Sequence, residues 1–72
     1  MSKLQQLKKG ERKTIDRFLD DALAVKLMGM GVLPGSTIEV VRRSFLGHTM
    51  YVKVDHLQLA IRKNEAACIV VK

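Results

Sequence analysis

From Thr37 onward apolar and polar residues alternate with a period of two, and that alternation commits the second half of the chain to a sheet with one buried face. Ile38 and Val40 oppose Glu39, Val41 and Arg43, and Met50, Val52 and Val54 oppose Tyr51 and Lys53. Leu57, Leu59 and Ile61 oppose Gln58 and Ala60, while Ile69 and Val71 oppose Cys68 and Val70. Three breaks separate these runs. Residues 44–49, with Gly47 inside, predict a loop or wide turn, Asp55-His56 a tight reversal, and Lys63-Asn64-Glu65 a polar turn ahead of a strand over residues 66–71.

The first half is built differently. Leu4 and Leu7 precede Gly10 and predict a short lead-in packed by one or two leucines. Residues 13–19, with β-branched Thr14 and Ile15, predict a first strand. Asp20 and Asp21 are good N-cap residues and suit the positive end of a helix. The helix they open carries Leu23, Leu27 and Met30 on one face, Ala24 and Met28 beside them, and Lys26 pointing outward. Gly29 and Gly31 end it after about two turns, because glycine accepts left-handed backbone at little steric cost. Leu33-Pro34-Gly35-Ser36 then fits a type II turn: Pro fixes φ and Gly supplies the positive φ that follows.

A half-buried sheet leaves edges that template aggregation, and in a chain of 72 residues closing it into a barrel removes them economically. The fold expected is mainly β: a small SH3-like barrel of about five strands with one short α-helix between strands 1 and 2, residues 1–72 forming a single domain. Ile15, Ile38, Val40, Met50, Val52, Val54, Leu59, Ile61, Ile69 and Val71 form the inward set, with Leu23 and Leu27 plugging one end.

So small a core argues against a roomy active site, and the sequence holds no arrangement that would drive a reaction. Gly29-Met30-Gly31 has Pro34 where a dinucleotide fingerprint needs its third glycine, and no Gly-Lys-Ser/Thr occurs. Ser2, Ser36 and Ser44 have no nucleophile elbow, and Asp20 and Asp21 are explained as helix caps. The chain is read as a non-enzyme. His48, His56 and Cys68 are weak candidates for metal ligands, with no Cys-x-x-Cys or His-x-x-x-His spacing; Fe²⁺ or another divalent metal as cofactor is not supported by that spacing. Cys68, the one cysteine, lies between apolar neighbours and reads as a small packing residue in a reducing compartment. Thirteen Lys and Arg against seven Asp and Glu leave a net charge of +6, which favours anionic partners. Lys3, Lys8, Lys9, Arg12 and Lys13 concentrate that charge near the N-terminus, and Tyr51 beside Lys53, with Arg42 and Arg43 across the hairpin, forms a weak basic and aromatic patch. No apolar run is long enough for a membrane span, no signal stretch opens the chain, and the location expected is cytoplasmic.

The order of features is itself informative. A strand and short helix lead into Leu27-Met28-Gly29-Met30-Gly31-Val32-Leu33-Pro34-Gly35; alternating strands follow and end in Leu59-Ala60-Ile61-Arg62 and Glu65-Ala66-Ala67-Cys68-Ile69-Val70-Val71. This resembles the FeoA family of small cytosolic ferrous iron transport proteins over residues 7–71. Leu27, Gly29 or Gly31, Pro34, Gly35, Ala60, Arg62, Glu65, Ala66, Ile69 and Val71 match the family pattern. Lys26 stands where the family usually has Arg, and the hairpin has Phe45 and His48-Thr49 where Pro and Asp-Pro are common. The resemblance implies an SH3-like accessory protein that works with FeoB, the membrane ferrous iron transporter with a cytosolic GTP-binding domain. It also implies a place peripheral to the inner membrane, reached through that partner.

A chain with no phosphate loop, nucleophile or metal cluster acts by binding. Met28, Met30 and Leu33, with Phe45 and Leu46 on the hairpin, are expected to form the docking surface, rimmed by Lys26, Arg42 and Arg43. The alternative is that these apolar residues seal the barrel end. Three classes stay open: an adaptor or regulator of an iron transporter, a metal-binding or metal-sensing module, and a basic nucleic-acid-binding barrel. The first is preferred, with no nucleic acid expected as partner and self-association left open.

Overall fold

Antiparallel pairing joins six strands in the computed structural model, which describes all 72 residues. They are β1 (Ser2–Lys3), β2 (Arg12–Phe18), β3 (Thr37–Arg43), β4 (Thr49–Val54), β5 (Leu57–Arg62) and β6 (Ile69–Val71). Helix α1 (Asp21–Gly29) lies between β2 and β3, and the one-turn α2 (Lys63–Ala66) between β5 and β6. In space the strands run β1-β6-β2-β3-β4-β5. The outermost strands, β1 and β5, are not laddered to each other; a 3₁₀ turn at Leu4–Gln6 packs against α2 and fills the seam.

The alternation of the sequence becomes the inner wall of this barrel. Ile15, Ile38, Val40, Met50, Val52, Val54, Ile61, Ile69 and Val71 are buried as expected, with Leu23 and Leu27 of α1 across one opening. Leu59, expected inside, is only half-buried and packs at the margin of the core. Leu4, Leu7, Val32 and Ala66 complete the core, so the lead-in leucines do hold the N-terminal segment down. Val70, on the other face of β6, is buried too, flanked there by its ladder partners Lys3 and Arg17.

Local chemistry ends the elements. The Asp20 carboxylate accepts the Leu23 amide at 2.9 Å and caps α1. At the other end the Val32 amide donates to Leu27 O at 2.9 Å and the Gly31 amide to Met28 O at 3.1 Å, with Gly31 at φ +91°. This is the Schellman pattern, and buried Val32 packs with Leu27 in the same core cluster. Leu33-Pro34-Gly35-Ser36 forms the expected turn, with Gly35 at φ +92° and the Ser36 amide donating to Leu33 O at 3.0 Å.

Three expectations need correction. The strand count is six, because the lead-in contributes the two-residue β1. Residues 63–66, expected as a turn and the start of a strand, are α2, and β6 begins only at Ile69. One turn of helix is too short to show a helical period. Finally, β3 does not alternate throughout. The register on β4 shifts between Val40 and Arg42, so that Arg42 faces Tyr51 and Arg43 faces the buried Met50. Val41 is the extra residue of a β-bulge, and it turns Arg43 from the outer face toward the barrel mouth.

Candidate functional site

The outer face of α1 is apolar as well as the inner one. Leu23 and Leu27 point into the barrel; on a 3.6-residue period Val25 lies opposite them and Met28 beside it. Val25 is 75% exposed, Met28 46%, Met30 44% and Leu33 45%. A helix apolar on both sides is normally buried on both sides, and nothing in this chain covers the outer one. Val25 lies before the dense apolar segment that draws attention in the sequence, and its place opposite Leu23 and Leu27 on a helical period is the signal that marks it.

Lys26 is not a free rim charge. Its ammonium lies 3.1 Å from Glu65 Oε2 and ties α1 to α2. The Arg62 amide donates to Glu65 Oε1 at 3.0 Å, and this bond, with the Lys26 cation behind it, holds the Glu65 carboxyl below its ordinary range. Cys68 is half-buried at the edge of the same cleft, between Asp20, Leu23 and Glu65. Several residues of the matched pattern serve the fold here: Leu27 and Ala66 are buried, Gly31 and Gly35 hold positive φ, and Arg62 and Glu65 begin α2. Gly29 closes α1 with no positive φ, and Ala60 faces outward.

The structure separates the expected docking surface into two. Met30 and Gly31 lie against the β4–β5 turn, Val54 to Leu57, at the end where β3 begins. Phe45 and Leu46 cap the β3–β4 hairpin at the other end. Ile38 and Arg43 are the first and last residues of β3 paired with β4, and five residues at about 3.3 Å each put roughly 16 Å of strand between them. Phe45 is 100% exposed and Leu46 72%.

Arg42 and Arg43 belong with the hairpin. The Arg42 guanidinium stacks 3.9 Å above the Tyr51 ring. Arg43 donates to Gln5 O at 2.6 Å and to Leu7 O, pinning the N-terminal segment across the barrel mouth. Tyr51 thus has one ring face occupied by Arg42, and Phe18 packs on the core.

The three metal-ligand candidates also lie apart. His48 is in the β3–β4 loop, where its carbonyl accepts the Lys63 amide at 2.9 Å; His56 is in the turn at the far end of β4; Cys68 is between the helices. No three His, Cys, Asp or Glu side chains converge anywhere in the chain.

The FeoA domain model matches residues 2–72. A solution structure of the FeoA protein from Chlorobium tepidum superposes with a TM-score of 0.91 at 32% identity, covering 97% of this chain and 68% of that one. Iron(II) transport protein A from Clostridium thermocellum gives a TM-score of 0.89 at 36% identity, covering 99% of this chain but 44% of that longer one. FeoA from Stenotrophomonas maltophilia, complexed with zinc and described as a procaryotic SH3 domain protein and candidate ferrous iron transport activating factor, gives 0.86 at 25% identity over 100% of this chain and 91% of that one. With an SH3-like barrel, a matched pattern across nearly every residue and relatives of this identity, the chain belongs to the FeoA domain family, an accessory family associated with ferrous iron transport.

Proposed function

We propose that this protein is a non-enzymatic accessory factor of bacterial-type ferrous iron uptake, which docks on the cytosolic part of the FeoB transporter through the outer face of α1. The observation that carries this reading is the uncovered apolar stripe of Val25 and Met28, continued by Met30 and Leu33 beyond the helix. Each such side chain contributes about 1.5–3 kcal/mol when taken fully out of water, so a few of them supply the centre of an interface. A partner footprint of about 800 Å² would occupy roughly a sixth of the 4658 Å² of surface. The helix presents this stripe rigidly, capped by Asp20, closed by Gly31 and braced to α2 through Lys26. No helix here is long and apolar enough to cross a membrane, so attachment to the transporter would be peripheral. The zinc-complexed relative raises the metal-binding alternative, but no three His, Cys, Asp or Glu side chains converge in this chain, His48, His56 and Cys68 included.

The test is capture of the transporter's cytosolic domain by the wild type and by a Val25→Asp/Met28→Asp variant. Both positions are exposed, so the circular dichroism spectrum and melting midpoint should stay near those of the wild type. Capture should weaken at least about tenfold, since the exposed parts of Val25 and Met28 together are worth about 1.8–3.6 kcal/mol on burial, above the 1.4 kcal/mol that a factor of ten represents. Equal capture by both proteins refutes α1 as the docking face.

A further inference from the structure

The β3–β4 hairpin tip is the one strongly apolar projection that the transporter-docking reading leaves unused. Ser44, Phe45, Leu46 and Gly47 form a tight turn: the Gly47 amide donates to Ser44 O at 3.0 Å, and Gly47 has φ +76°. Below it the Ser44 amide donates to Thr49 O at 2.9 Å, and the Thr49 amide to Ser44 Oγ at 3.1 Å. The turn is therefore held open by its own hydrogen bonds, with Phe45 and Leu46 at its two central positions. Neither folds back on the barrel, as their exposures of 100% and 72% show.

The ground around this tip is cationic. Arg42 and Arg43 lead into the turn. Arg62 pairs with Thr49 at its exit, and the Lys63 amide bonds His48 O, which brings the start of α2 against the loop. Arg43 also draws in the N-terminal segment at Gln5 and Leu7, from which Lys8 and Lys9 follow, both exposed. The carboxylates in this region are engaged locally: Glu65 with the Arg62 amide and Lys26, Glu11 with the Lys8 amide. Glu39 and Asp55 lie toward the opposite end of the β3–β4 ribbon, while Asp16, Asp20 and Asp21 belong to β2 and the start of α1.

We propose that this tip is a membrane-contact site, which inserts Phe45 and Leu46 into the headgroup–acyl boundary of an anionic lipid bilayer while the surrounding arginines and lysines engage the headgroups. Phe45 and Leu46 make a small projecting wedge; the nearest apolar ground, Val41, Leu59 and Ala60, lies back along the ribbon rather than at the tip, so the tip alone offers less than a protein interface of ordinary size requires. An apolar wedge within a basic ring is instead the arrangement that a charged bilayer surface rewards twice, by burial and by attraction. Nucleic acid would use the cations and leave Leu46 in water. The proposal concerns lipid alone and needs no transporter, so it stands or falls apart from docking through α1.

The experiment is co-sedimentation with vesicles of equimolar phosphatidylcholine and phosphatidylglycerol, against vesicles of phosphatidylcholine only. The sequence has no Trp, so Phe45→Trp supplies a unique fluorescent reporter at the tip. Binding is expected on the anionic vesicles and should fall as salt rises, with the reporter shifting to the blue and being quenched by brominated acyl chains. Phe45→Ser/Leu46→Ser should weaken binding at least about tenfold, and Arg42→Glu or Arg62→Glu at least about fivefold each, since one cation near an anionic surface is worth about that factor. All these positions are exposed, and an unchanged circular dichroism spectrum confirms that the fold persists. Three results each overturn the proposal: no sedimentation with anionic vesicles at low salt, equal binding by the double serine variant, or a reporter that acyl-chain bromines do not quench.

Discussion

Gly29 and Gly31 look equivalent in the sequence, but the structure gives them opposite roles, and substituting each with alanine separates them. Gly29 is the last residue of α1 with ordinary helical backbone, and a Cβ there meets nothing within 4 Å. Alanine at that site loses less conformational entropy on folding than glycine, so Gly29→Ala should stabilise the protein by about 0.5 kcal/mol. Gly31 has equally open surroundings but φ +91°, so the whole cost of a Cβ there is backbone strain. Left-handed backbone disfavours an L-residue by roughly 1–2 kcal/mol, and the Val32-to-Leu27 bond that ends the helix depends on it. For a domain of this size 1 kcal/mol moves the melting midpoint by about 4–8 °C. Gly29→Ala should therefore raise it by about 2–4 °C and Gly31→Ala lower it by about 4–16 °C. Calorimetry of the two single variants and of Gly31→Asn, which tolerates the left-handed region better, is the assay. Shifts of the same sign for the two alanines would refute the assignment of the helix stop to Gly31, as would a neutral Gly31→Ala.

Asp20→Ala should cost about 1 kcal/mol by leaving the Leu23 amide uncapped, and Asp20→Asn should restore most of it; urea denaturation midpoints decide this. Glu65 should make stability depend on acid pH. Its carboxyl is held below its ordinary range, so its contribution is complete above the unfolded value of about 4.3 and is lost as pH falls through the lower folded one. The stability difference between wild type and Glu65→Gln should thus be constant near neutrality and shrink at acid pH. For so exposed a pair it should total at most about 1 kcal/mol, and a difference that grows with acid would contradict the Lys26–Glu65 brace.

Where a single residue's chemistry dictates local structure, the sequence was legible. Asp20 as cap, Pro34-Gly35 as turn and the buried faces of β3, β4 and β6 all follow from side-chain type and spacing. The bulge at Val41 did not, because it arises from pairing between strands and carries no glycine to mark it. Its consequence was the misplacement of Arg43, expected at a free rim and found gripping the N-terminal segment. The expected docking residues divide between two ends of β3 for a related reason. Composition located Met28, Met30, Leu33, Phe45 and Leu46, but only strand direction and register show that the hairpin tip and the helix end stand at opposite ends of β3. Burial of Val32 likewise depends on how the chain leaving α1 folds back onto the barrel.

Arg43 reaches Gln5 and Leu7 only because Val41 is out of step with β4. No ladder closes the gap between β1 and β5, and the lead-in that fills it is held by the guanidinium of Arg43, reaching over from β3, and by the packing of Leu4 and Leu7, where every other joint is stitched by amides. A clasp of that kind can gape while the stitching on either side stays shut. Amide hydrogens around residues 4–9 would then exchange with solvent well before those of β3 and β4, and a protease would find its first foothold there.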